Sequence, residues 1–158
     1  MRTLIIYDSY YGNTEKIAKA MGAAIPGEIK VVPVGEASPL DLGSADLLIV
    51  GSPTQGFQAT KPIQAFVASI PAGALQGKAV AAFDTRIQAA EVGKALRQFM
   101  KIGGYAGPRL ARALEKKGGN LAAPPEGFFV VEKEGPLVEG ELERAAAWAK
   151  GIAANPGS

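Results

Sequence analysis

Continuous apolar runs alternate with segments of helical spacing along the whole chain. Residues 3–7 form an apolar, β-branched run bounded by polar residues, the pattern of a strand buried on both faces of a parallel sheet. From Asn13 the spacing changes. Ile17, Ala20, Met21 and Ala24 fall on one helical face, Glu15 stands in the first turn, and Pro26-Gly27 ends the helix. Residues 29–34 predict a second strand, and residues 42–45 lead into a third at 46–51, which stops at Ser52-Pro53. A helix over 62–69 follows, with Pro62 in the first turn where its missing N–H costs nothing. A fourth strand is predicted over 78–84. Two helical patterns come next, one through Ala89, Val92, Leu96, Phe99 and Met100, the other through Leu110, Ala113 and Leu114. One crossover needs a single helix, so the first pattern reads as an insertion or an extended loop. Residues 120–123 and 128–131 form two parts of a fifth strand, broken by Pro124-Pro125. Residues 139–153 close the chain as an amphipathic helix with Leu142, Ala145, Ala146 and Ile152 inward. This alternation predicts an α/β doubly wound sheet with right-handed crossovers and helices on both faces.

Length and composition narrow the picture. A chain of 158 residues suits one domain, expected over 1–154, with a disordered tail at 155–158. Apolar residues at 47% and charged residues at 20% are enough to fill a core, which excludes a natively disordered chain. There is no Cys, which excludes disulfides, thiolate chemistry and cysteine-ligated zinc or iron–sulfur sites. There is no His, which removes the commonest general base and metal ligand and any Ser-His-Asp triad. Whatever chemistry occurs is therefore expected from something bound, with no catalytic side chain and no metal. The apolar run at the start is too short for a signal-peptide core, and no later stretch reaches the ~18 residues of a spanning helix, so a cytoplasmic location is expected.

In a doubly wound sheet ligands sit beyond the carboxyl ends of the strands, where strand order reverses. The first strand ends in Ser9-Tyr10-Tyr11-Gly12-Asn13-Thr14 and runs straight into a helix. Two hydroxyls, a Gly that permits close backbone approach and the free N–H groups of a helix start favour a phosphate held without Lys or Arg. A capped helix start explains the same residues equally well. The third strand ends in Gly51-Ser52-Pro53-Thr54-Gln55-Gly56-Phe57, either an ordinary strand-to-helix connection or a ligand loop with an aromatic near its tip.

Both loops resemble those of the flavodoxin family, the carriers of flavin mononucleotide (FMN), and the element order fits from Met1 to about Ala154. The resemblance implies a five-stranded parallel sheet of order 2-1-3-4-5. It implies that Ser9 and Thr14 bind phosphate through hydroxyls, and Tyr10, Tyr11, Gly12 and Asn13 through backbone N–H groups. Pro53, Thr54, Gln55, Gly56 and Phe57 would line the ribityl chain and the isoalloxazine, and the third flavin loop would fall at Asp84, Thr85, Arg86, Ile87 and Gln88. Arg86, if it reaches the N1 side of the flavin, would favour the anionic reduced form. Three departures stand out. Tyr11 replaces the usual Thr of electron carriers, as in relatives that reduce quinones with a nicotinamide cofactor. Gln55 replaces an aromatic. The third loop has no aromatic, which leaves Ile87 or nothing to cover that flavin face.

The function implied is an FMN-binding electron-transfer protein with a redox partner protein, more a carrier than a turnover enzyme. The alternatives are an FMN-dependent NAD(P)H:quinone-type oxidoreductase and a flavin-free interaction module. Charge adds a further departure, since electron-shuttling flavodoxins are typically acidic while this chain has net charge +2 and pI ≈ 8.9. Residues 86–117 hold eight basic side chains against Glu91 and Glu115, and residues 126–143 hold six Glu against Lys133. Solvated helix faces or a docking surface account for these runs. Without interleaved aromatics they do not suggest nucleic-acid binding.

Overall fold

The computed structural model describes residues 1–55, 58–87 and 105–156. The apolar runs become parallel strands: β1 (Arg2–Tyr7), β2 (Glu28–Pro33), β3 (Leu47–Pro53), β4 (Ala79–Ile87), β5 (Asn120–Leu121) and β6 (Glu126–Val130). The helices are α1 (Asn13–Ala24), α2 (Lys61–Ser69), α3 (Ala106–Lys116) and α4 (Glu141–Ala154). Strand order is β2-β1-β3-β4-β5, with β6 also paired to β4, and every pairing between these strands is parallel. The order agrees with the sequence expectation.

β5 and β6 together form the split fifth strand. β5 pairs with Ala79 and Val80, β6 pairs with residues 83–87, and Pro124-Pro125 lies between them. Pro has no N–H to give a ladder, so pairing stops there and resumes at Glu126. β4 is three residues longer than its apolar run because β6 supplies partners for Thr85, Arg86 and Ile87.

Period-two alternation divides the strand side chains between two cores. Leu4, Ile6, Leu48, Val50, Val80 and Ala82 pack with Ile63 and Val67 of α2 and Leu110, Ala111 and Leu114 of α3. Ile5, Leu47, Ile49, Ala81 and Phe83 pack on the other face with Ile17, Ala18 and Met21 of α1 and Ala145, Ala149 and Ile152 of α4. Phe83, Phe128 and Trp148 meet edge to face, with ring centroids 6.0 to 6.4 Å apart. Removing a buried Phe such as Phe83 costs about 3–5 kcal/mol.

One inward assignment needs correcting. Leu142 is exposed, at 40%. The buried face of α4 runs through Glu141, Ala145, Ala149 and Ile152, and Leu142 lies one residue, about 100°, off it. Glu141 takes the inner position because its carboxylate accepts from the Phe129 N–H at 2.7 Å and from Arg144 Nε at 2.8 Å and Nη2 at 2.6 Å. The helical pattern through Ala89, Val92, Leu96, Phe99 and Met100, read as an insertion or an extended loop, lies outside the described residues, as do the last two residues of the expected tail. Among the described residues no helix is long and apolar enough to cross a membrane.

Candidate functional site

β1 leads to β2 on one side of the sheet and β3 lies on the other, so the connections at the carboxyl ends of β1 and β3 diverge and leave a crevice. A cavity of about 340 Å³ occupies this place. From the β1–α1 loop it is lined by Ser9, Tyr10 and Tyr11, and from the first turn of α1 by Asn13 and Thr14. Pro53, Thr54 and Gln55 line it from the end of β3, and Thr85, Arg86 and Ile87 from the end of β4. Val130 and Lys133 complete the wall from β6 and the segment after it.

Local bonds hold the first loop in shape. Gly12 begins α1 with φ 88°, a left-handed conformation that L side chains rarely adopt, and no side chain caps the helix. The Gly12 N–H donates to Ser9 Oγ at 3.0 Å, which closes the loop on itself. Asp8, at the base of the loop, accepts from the Ser9 N–H at 2.9 Å and from Thr60 Oγ1 at 2.6 Å, tying the loop to the start of α2. Thr14 Oγ1 and Thr85 Oγ1 share a hydrogen bond at 2.8 Å, so the first helix and the fourth strand meet through two hydroxyls. Tyr7 donates to Glu15 Oε2 at 2.9 Å; burial and this carboxylate push the phenol up to about 12, while the bond holds the Glu15 carboxyl below its ordinary value.

The second loop is pinned where Gln55 and Gln58 form an antiparallel bridge, exchanging backbone hydrogen bonds of 2.7 and 2.9 Å. The Thr54 N–H donates to the Thr85 carbonyl at 2.9 Å, and Thr54 Oγ1 accepts from the Ala106 N–H at 3.0 Å. These bonds tie the second loop to the end of β4 and to the start of α3.

The two motifs meet as a continuous surface. A model of the flavodoxin domain family matches residues 4–131. The chain belongs to that family. Among solved structures, this flavodoxin-domain chain is similar to a flavodoxin from the domain Archaea, at 22% identity over 98% of this chain and 97% of that one, TM-score 0.77. It is similar to oxidised Flavodoxin 1 from Bacillus cereus, at 18% identity over 94% and 95%, TM-score 0.73. It also matches 35% of the rubredoxin oxygen:oxidoreductase from Desulfovibrio gigas, at 22% identity over 97% of this chain, TM-score 0.71. None of the curated protein sequences matches it.

Of the residues singled out from sequence, Ser9, Tyr10, Tyr11, Asn13, Thr14, Pro53, Thr54, Gln55, Thr85 and Arg86 share the cavity, and Ile87 joins them. Gly12 shapes the loop without lining the cavity. Gly56, Phe57 and Gln88 lie outside the described residues. Asp84 is fully buried and does not line the cavity; its carboxylate accepts from Arg86 and from the Gly107 N–H at 2.8 Å. Burial raises this carboxyl above its ordinary value, opposed by Arg86, by the Gly107 N–H and by the Thr54 hydroxyl. Arg86 lines the cavity as a clamped group. Its guanidinium lies 3.4 Å from the Tyr105 ring centroid, and on its other side Gly127 has no side chain to exclude it. Arg86 is thus held in an ion pair with Asp84, and the neighbouring carboxylate offsets part of its field.

Val130 and Lys133 were not singled out as site residues. Lys133 arrives because Asn13 Nδ2 donates to the Glu134 carbonyl at 3.1 Å, which folds the segment after β6 over the first loop. Gly135, at φ 101°, lets that segment close onto Asn13. The one sequence signal for Lys133 is that it is the single basic residue among six Glu over 126–143.

Proposed function

We propose that this chain binds FMN in the cavity at the ends of β1, β3 and β4 and works as an electron carrier. The observation that carries the reading is the convergence on one cavity of the hydroxyl-bearing β1–α1 loop, the uncapped start of α1 and the β3–α2 loop. Family membership, and the names of the similar structures from the domain Archaea and from Bacillus cereus, support it.

The donor set suits a phosphate ester. Ser9 Oγ accepts from Gly12, which leaves its own hydrogen to donate outward. Thr14 and Thr85 use one hydroxyl hydrogen between them, so the other remains for an anion. The N–H groups in the first turn of α1 add the positive end of the helix dipole, worth roughly 0.3–1 kcal/mol for an anion. Lys133 adds a formal charge on the same wall. Pro53, Ile87 and Val130 give apolar surface for a flat ring, with Tyr10 and Tyr11 at the rim, half exposed at 52% and 44%.

When bound, FMN supplies the redox chemistry, and the chain supplies binding, orientation and local electrostatics. A visible absorption spectrum of the purified protein, repeated after adding FMN and removing the excess, tests the reading. Two flavin bands that stay with the protein are expected. A colourless protein that cannot be reconstituted would overturn the proposal. Turnover of a quinone with NADH by the loaded protein would replace the carrier by an oxidoreductase.

A further inference from the structure

A second cavity, of about 590 Å³, lies between α2 and α3, on the sheet face opposite α1 and α4. Val67 and Leu110 give it an apolar wall, Gln58 and Gln64 neutral polar groups, and Arg109, Arg112, Lys116 and Lys117 a basic side. Among the described residues no carboxylate lines it. Lys117 Nζ donates to the Ala68 carbonyl at 3.2 Å, whereas Arg112 and Lys116 make no ion pair among the described residues. Arg112 and Lys116 stand four residues apart, so one helix face carries like charges in mutual repulsion. A helix gains nothing in stability from that arrangement, which points to a partner of opposite sign.

Two further observations say what that partner is. Charge is divided across the molecule: the Glu-rich stretch over 126–143 runs from β6 into α4, on the other face of the sheet from α3. The groove also begins at Gln58, whose backbone is bonded in both directions to Gln55, and Gln55 lines the first cavity. A protein seated between α2 and α3 therefore abuts the loop beside the candidate flavin site.

We infer that the groove between α2 and α3 is the docking surface for an acidic electron-carrier protein. The inference rests on the proposed redox function for the nature of the partner; the groove itself supplies the sign of the charge. Such a surface steers an anionic partner from solution and orients it, and its effect weakens as salt rises. A nucleic acid fits less well, because among the described residues no aromatic side chain lines the groove for bases to stack on.

The test is a titration of the full ¹⁵N-labelled chain with an acidic plant-type [2Fe–2S] ferredoxin at low salt, with cytochrome c as the basic control. Amide shifts confined to α2, α3 and Gln58 are expected, with no response to cytochrome c. Affinity should fall at least tenfold in 0.5 M NaCl, where the Debye length has shrunk to about 4 Å. It should fall by as much in the double variant Arg112→Glu, Lys116→Glu, whose FMN binding stays at the level of the parent. Shifts centred on α4, equal affinity in the variant, tighter binding of a single-stranded DNA oligomer, or a salt-sensitive homo-oligomer that accounts for the same shifts would each overturn the inference. Binding at the groove by a chain that takes up no FMN would leave the docking surface standing and sink the flavin proposal instead.

Discussion

Arg86 donates from Nε and Nη2 to the two carboxylate oxygens of Asp84, each at 2.6 Å, from two residues further along the same strand. Residues i and i+2 of a strand share a face, so the pair forms without any change of backbone direction. Asp84 has no exposed surface, and the Arg86 side chain retains 15%. The start of α3 contributes as well, since the Gly107 N–H reaches the same carboxylate and a Cβ at Gly107 would stand 2.7 Å from it.

Asp84→Asn keeps the shape and removes the charge, leaving the Arg86 guanidinium buried against Tyr105 without its counter-ion. Breaking a buried pair from one side costs about 3–5 kcal/mol. Urea unfolding of the variant should show a loss of that order. A loss under about 1 kcal/mol would mean that solvent reaches Arg86 and compensates it.

Lys133 should discriminate between flavins with and without a phosphate. Lys133→Glu is expected to weaken FMN at least tenfold, about 1.4 kcal/mol, while riboflavin, which lacks the phosphate, binds as it does to the parent. Fluorescence titration with both flavins reads the difference. An equal loss for both would place Lys133 at the ring instead of the phosphate.

Gly51 sits opposite Phe83 in the β3–β4 ladder, and the Phe83 ring fills the space where a Cβ at Gly51 would stand. Gly51→Ala is therefore an overpacking change and should destabilise by about 1–3 kcal/mol. The double variant with Phe83→Leu should lose less than the sum of the two single changes, because each relieves the other. Additive losses in chemical denaturation would show that the ring does not oppose the substitution.

Glu141 gives a pH dependence with a definite sign. Hydrogen bonding from Arg144 holds its carboxyl below the ordinary 4.5, burial opposes, and the Phe129 N–H assists. A depressed folded value means that the stabilisation is fully present above 4.5 and is lost as pH falls through the lower folded value. Glu141→Gln should cost on the order of 1.5–3 kcal/mol at neutral pH, the range for hydrogen bonds to charged groups. The gap between parent and variant should close in acid. A gap independent of pH would remove the carboxylate charge as its cause.

The sequence carries the parallel sheet plainly because β1, β3 and β4 are buried on both faces and so read as unbroken apolar runs. It carries the β1–α1 and β3–α2 loops for a related reason, since each follows directly from a strand that is easy to see. What depends on distant contacts was hidden. The extension of β4 to Ile87 needs β6 as a neighbour some forty residues later. Lys133 reaches the first loop through a bond between Asn13 and Glu134, which are separated by 121 positions. Leu142 was expected inward on hydrophobicity, and a buried, fully bonded Glu141 displaced it. The Asp84–Arg86 pair was open to inspection, because a carboxylate and a guanidinium two apart in a strand always share a face.

The break between β5 and β6 also governs how the protein meets copies of itself. A regular outer strand offers a row of free amides and carbonyls on which another chain can lay a strand of its own. Here the row is interrupted after two residues by Pro124-Pro125. Beyond the break, β6 is covered by its own chain, with the Val138 N–H on the Phe129 carbonyl and the Val131 N–H on the Pro136 carbonyl. This border of the sheet offers no continuous row of free backbone groups on which a second chain could template a strand.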